Sequence, residues 1–101
     1  MSESVLTRRI KTAIEKEFSP SEVFCYKTSD RFTSGIPDLI LCVRGLFLAL
    51  EIKTAKGKVT RLQEITIRKI NHAGGISLVV RSVKEAVNAV KELIKKSLFN
   101  S

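Results

Sequence analysis

At 101 residues the chain has room for one domain and one core. Its 44% hydrophobic content excludes a disordered tail, and no apolar run reaches the roughly 18 residues that cross a bilayer. Met1-Ser2-Glu3-Ser4 carries an acid where a secretory leader would carry basic residues, so a cytoplasmic location is expected, and 18 Lys and Arg against 10 Asp and Glu leave a net charge of +8 that calls for a polyanionic partner.

Leu6, Ile10, Ala13, Ile14 and Phe18 form a helical stripe over residues 4–18, which Ser19-Pro20-Ser21 ends. Residues 23–28 are rich in β-formers and predict a strand, and residues 29–36 read as a loop. Two apolar runs, 38–43 and 46–53, flank Arg44-Gly45, the spacing of a hairpin. Neither run alternates cleanly, which predicts strands covered on both faces. Thr60-x-x-Gln63 is a capping box opening a helix that Gly74-Gly75 stops; a short buried strand follows at 76–80. A second box, Ser82-x-x-Glu85, opens a last helix striped by Val83, Ala86, Val87, Val90, Leu93 and Ile94. The order αβββαβα predicts a single α/β domain with a mixed central sheet and helices packed against it. Cys25 and Cys42 lack the paired spacing of a zinc site and are expected as small buried hydrophobes in a reducing compartment.

Chemistry concentrates in Gly35-Ile36-Pro37-Asp38 and Glu51-Ile52-Lys53. Antiparallel pairing about a turn centred between residues 44 and 45 sets Asp38 opposite Glu51, and strand alternation turns Lys53 to the same face. Two carboxylates so placed repel unless a cation separates them. Two acids and a lysine at one sheet end suit metal-assisted phosphodiester hydrolysis: a hard cation, Mg²⁺ or Mn²⁺, takes carboxylate oxygens, and the ammonium orients water or holds phosphate.

Gly35-Ile-Pro-Asp38, Glu51-Ile-Lys53, Gln63 and the Asn71-His-Ala-Gly-Gly75 helix end resemble the PD-(D/E)XK nuclease superfamily, and within it the VRR-NUC family in the short stand-alone form of phages and mobile elements. The resemblance spans nearly the whole chain. It implies a restriction-endonuclease-like αβββαβ core and a metal-dependent DNA endonuclease, with Asp38, Glu51 and the Ile52 carbonyl as metal ligands and Lys53 as the catalytic lysine. It also implies a four-way DNA junction as substrate and a homodimer as the acting species. Flap, nick or duplex-end cleavage, and a non-catalytic basic nucleic-acid-binding protein, are the alternatives. The family places a metal-site glutamate on the first helix. Glu3 and Glu17 point with the apolar stripe and Glu15 points away; Glu3 stands where the family pattern puts the acid, although an acid there also suits a helix N-terminus. Gln63 carries two readings, the cap and, by resemblance, a contact to phosphate or metal-bound water.

Lys53 to Arg61 holds four cations and no acid. Lys56, Lys58 and Arg61, with Arg68 on the same helical stripe and Lys27 and Arg31 before the aspartate loop, are the expected DNA-gripping residues. Arg8, Arg9 and Lys11 extend that surface. Lys95 and Lys96 suit a helix C-terminus, and His72, without partner ligands, reads as structural. Scattered aromatics and no tryptophan argue against single-strand stacking.

Overall fold

The computed structural model describes residues 1–29 and 35–99. Its elements follow the expected order: α1 (Glu3–Glu17), β1 (Val23–Lys27), β2 (Leu39–Val43), β3 (Leu46–Ile52), α2 (Arg61–His72), β4 (Ile76–Val80) and α3 (Val83–Phe99). The strands form one sheet in the order β1-β2-β3-β4, antiparallel over the first three and parallel between β3 and β4, which α2 connects.

Local chemistry sets the boundaries. Ser2 Oγ accepts the Val5 N–H at 3.2 Å and starts α1. At α2 both arms of the capping box form: Thr60 Oγ1 accepts the Gln63 N–H at 3.2 Å and Gln63 Oε1 accepts the Thr60 N–H at 2.8 Å. The second expected box is half made. Ser82 Oγ accepts the Glu85 N–H at 3.1 Å, but the Glu85 carboxylate reaches past Ser82 to the Arg81 N–H, 3.3 Å from each oxygen. Arg81 leaves the strand there, and its N–H takes the partner that the cap residue would have had.

The β2–β3 turn has positive φ at both central residues, 46° at Arg44 and 85° at Gly45, the conformation that matches strand twist in a two-residue hairpin. Glycine adopts it freely. Arginine does not, and Arg44 is held by its N–H on the Glu22 carbonyl (2.8 Å) and its Nε on Ser97 Oγ (3.1 Å). The resulting register pairs Leu39 with Leu50 and Leu41 with Leu48.

One sheet face carries the core: Leu39, Leu41, Val43, Leu48, Leu50 and Ile52 pack against Leu6, Ile10 and Ile14 of α1 and Ala86, Val90 and Leu93 of α3. The other face is covered only in part. Helix α2 lies on β4, where the Asn71 side chain bonds the Ser77 N–H (2.8 Å) and carbonyl (3.5 Å). Phe24, Tyr26 and Phe47 stay 64, 54 and 44% exposed. This corrects the expectation of two doubly covered strands: β3 is buried from Leu48 to Ile52, whereas β2 alternates, because on this second face no described helix reaches over β1 and β2. Cys42 pairs in register with Phe24 and Phe47 on that open face and is exposed, against expectation; Cys25 is buried as expected, and burial pushes its thiol up to about 11.

Candidate active site

Carried one step beyond Leu39 and Leu50, the hairpin register sets Asp38 opposite Glu51. The chain enters Asp38 along a fixed path. Gly35 has φ +89° and sits so close to α2 that a Cβ would lie 2.6 Å from the Leu62 carbonyl oxygen, so only glycine fits. Thr28 then prolongs the β1–β2 pairing: its N–H donates to the Asp38 carbonyl at 3.0 Å and its Oγ1 to the Pro37 carbonyl at 2.6 Å. With its backbone so tied, Asp38 turns Oδ2 onto the Ile52 N–H at 2.7 Å.

Glu51 is 2% exposed. Its Oε2 accepts from Gln63 Nε2 at 3.2 Å, while its Oε1, fully buried, has no hydrogen-bond partner among the described residues. Burial above all, then the hydrogen bond and charge of Asp38, push the Glu51 carboxyl up to about 8 against the opposing pull of Lys53. Lys53 itself is 6% exposed, and its ammonium lies 3.9 Å from Glu3 Oε1. A recess of about 360 Å³ opens beside these groups, lined by Glu3, Thr7, Lys27, Thr28 and Asp38 among others.

The fold thus gathers Asp38, Glu51, Lys53 and Gln63 at one end of the sheet, with Glu3 and Lys27 at the rim. Gln63 performs the cap and a site contact together. Glu3 meets the Lys53 ammonium, and among the described residues no three His, Cys, Asp or Glu side chains converge as a ligand cluster. The other helix-one acids are engaged elsewhere, Glu15 with Lys11 (2.9 Å) and Glu17 with Lys91 (3.4 Å). That pairing withdraws Lys11 from the basic surface. Lys27, Lys56, Lys58, Arg61 and Arg68 are exposed, and no ion pair engages them among the described residues. Arg31 lies outside the described residues. His72 is exposed at the end of α2.

Two residues escaped the sequence reading. One is Thr28, the tether just described. The other is Arg81, whose Nη1 donates to the carbonyls of Thr54 (2.7 Å) and Gly57 (2.8 Å), with that of Ala55 at 3.5 Å. Parallel pairing of Ile52 with Val80 brings Arg81 alongside the turn that follows Lys53. No local sequence signal marks that neighbourhood, which depends on the non-local register of β3 with β4.

No protein-family profile matches the chain, and no curated protein matches its sequence. Among the solved structures that match its fold are two with extensive likeness. One, named VRR_NUC domain, superposes with a TM-score of 0.67 at 23% identity, over 84% of this chain and 94% of its own length. The other, named VRR_NUC domain protein, gives a TM-score of 0.77 at 15% identity, over 94% and 89%. At these identities the likeness speaks for architecture alone: the chain has the fold of the VRR_NUC domain.

Proposed function

We propose that the protein is a VRR-NUC nuclease of the PD-(D/E)XK type, a divalent-metal-dependent DNA endonuclease acting as a homodimer with a four-way junction as its favoured substrate. The observation that carries this reading is the Asp38–Glu51 pair, two carboxyl groups brought side by side with one buried oxygen left without a partner. Such a pair holds together by keeping a proton, and a hard cation is the natural replacement for that proton. The donor set fits one. A strand residue's N–H and C=O point to the same side, so the Ile52 carbonyl lies on the side where its N–H meets Asp38, adding a third oxygen to the two carboxylates.

Mg²⁺ or Mn²⁺, when bound, supplies an acidified water and offsets charge on the phosphate. The chain's own groups do the rest. Glu51 is oriented by Gln63 and gives up its proton on loading. Lys53, its stem buried, presents its ammonium to a phosphate oxygen or to the attacking water. Glu3 sets the position of that ammonium and is the first-helix acid that would help to hold the cation with Asp38 and Glu51. Lys27, Arg31, Lys56, Lys58, Arg61 and Arg68 hold flanking phosphates. A two-fold junction needs two matched incisions and therefore two copies of the chain, and the open sheet face of Phe24, Tyr26 and Phe47 supports that assembly, as does Phe99, 87% exposed at the end of α3.

The test is cleavage of a labelled junction, a linear duplex, a nicked duplex and a flap, each with Mg²⁺, Mn²⁺ or EDTA, by the wild type, Asp38→Ala and Lys53→Ala. Metal-dependent cutting of the junction, lost in both variants, is expected. Binding without cutting by the wild type sinks the enzyme reading and leaves a nucleic-acid-binding protein. Preference for flap, nick or end sinks the junction assignment alone.

A further inference from the structure

The guanidinium of Arg81 spends its contacts on backbone rather than on an acid. Nη1 donates to the Thr54 and Gly57 carbonyls at 2.7 and 2.8 Å and lies 3.5 Å from that of Ala55. These are the carbonyls of the tight turn that follows Lys53, which the Gly57 N–H closes onto the Thr54 carbonyl at 3.0 Å. Glu85, four residues on, is turned to the backbone N–H of Arg81, and no ion pair among the described residues neutralises the guanidinium. Three convergent carbonyls on one cation make a clamp, since charge-assisted bonds are the stronger kind.

The clamp has something to hold. Gly57 lies against the site: a Cβ there would come 3.2 Å from Glu3 Oε2 and 3.4 Å from both Cβ and Cδ of Lys53. The backbone at Gly57 is therefore the wall on which the Lys53 stem rests. The exposed Lys56 and Lys58 flank that same residue, so the turn that backs one lysine also aims two others.

From this we infer that Arg81 is a positioning residue of the cleavage centre, acting on Lys53 through the clamped Thr54–Gly57 turn and on DNA through Lys56 and Lys58. The inference rests on the nuclease reading for its reaction, though the clamp is measurable without it. All three contacts come from one nitrogen, so Arg81→Lys, which keeps a cationic nitrogen on a long stem, is the conservative rescue and Arg81→Ala the loss.

Single-turnover cleavage of a labelled junction separates this role from a merely structural one. Arg81→Ala is expected to lower the rate about tenfold in the Lys53 background and by no more than about twofold in a Lys53→Gln background read with Mn²⁺, because residues acting as a unit are not additive. Half-saturation should rise in both backgrounds through Lys56 and Lys58, and Arg81→Lys should recover most of both losses. An equal loss in the two backgrounds, or no rescue, overturns the inference. Amide exchange needs no cleavage: Arg81→Ala should speed exchange at Gly57 at least about tenfold while the amides of β4 keep their protection. Unchanged exchange at Gly57 overturns the clamp; absence of cutting by the wild type overturns the nuclease reading and leaves the clamp to the exchange result.

Discussion

Gln63 donates its amide N–H to the Glu51 carboxylate at 3.2 Å while its carbonyl oxygen accepts the Thr60 backbone N–H at 2.8 Å, so the start of α2 and the orientation of a site carboxylate depend on one side chain. An amide is the one group suited to both ends, an acceptor for the cap and a donor for the acid. Gln63→Glu keeps the cap and loses the donor; Gln63→Ala loses both. Urea unfolding should show Gln63→Ala destabilised by about 1 to 2 kcal/mol and Gln63→Glu, measured with Mg²⁺, within about 0.5 kcal/mol of the wild type. Both should cut about tenfold more slowly, since both leave Glu51 without its donor.

Removing one acid of the pair should cost catalysis without costing the fold. Asp38→Asn and Glu51→Gln relieve repulsion between a half-buried and a buried carboxyl, so thermal unfolding in EDTA at pH 8 should rise in temperature for both, most for Glu51→Gln. Cleavage with Mg²⁺ should fall by about a thousandfold, the scale of a lost metal ligand, with junction affinity by gel shift within about threefold of the wild type. Lower unfolding temperatures in both variants would mean that the pair stabilises the fold as it stands.

The pH dependence of stability has a definite sign. Glu51 sits at about 8 in the folded chain against an ordinary 4.5. Between those values the folded state binds more protons than the unfolded one, so the slope of stability with pH is negative. The contribution of Glu51 is full below about pH 4.5 and is lost as pH rises through about 8. Urea denaturation in EDTA at pH 5, 6.5 and 8 should show the loss, and Glu51→Gln should flatten it. With Mg²⁺ present the trend should weaken, because loading displaces the proton.

Grip on the DNA backbone should follow charge counting. Lys56→Ala, Lys58→Ala and Arg61→Ala should each reduce the slope of log affinity against log salt by about 0.9 and leave the maximal cleavage rate within about twofold. Lys11→Ala should leave the salt slope unchanged, because that ammonium is already paired with Glu15 at 2.9 Å.

Assembly should depend on the uncovered sheet face. Phe24→Asp together with Phe47→Asp puts charge into the exposed row that Cys42 joins across β1, β2 and β3. Sedimentation at micromolar concentration should show a dimer for the wild type and monomer for the double variant, with paired incision of a junction lost and single nicking retained.

Much of this arrangement was legible because it depends on short-range rules. Arg44-Gly45 sets the hairpin register, the register sets Asp38 against Glu51, and Thr60-x-x-Gln63 marks the start of α2. What could not be read depends on reach and on non-local pairing. The exposure of Cys42 and the alternation along β2 follow from how little of the second face α2 covers, a matter of helix placement rather than of strand composition. The partner of Glu3 is a buried lysine whose stem leans on Gly57, and the hold on that turn comes from Arg81, beside it only because β4 pairs in parallel with β3. Helical periodicity gives Glu3 a direction but no axial position, so its place beside the Lys53 ammonium is not legible in the sequence.

Only twelve residues separate Asp38 from Glu51, and the hairpin that joins them is the most local pairing in the sheet. Closing such a loop takes microseconds, whereas Gln63 and Arg81 come in with the slower crossover to β4. The two acids therefore meet before the groups that orient them have arrived. Their repulsion falls on an early step of folding, so refolding in EDTA should slow toward alkaline pH, and an added divalent cation should hasten it.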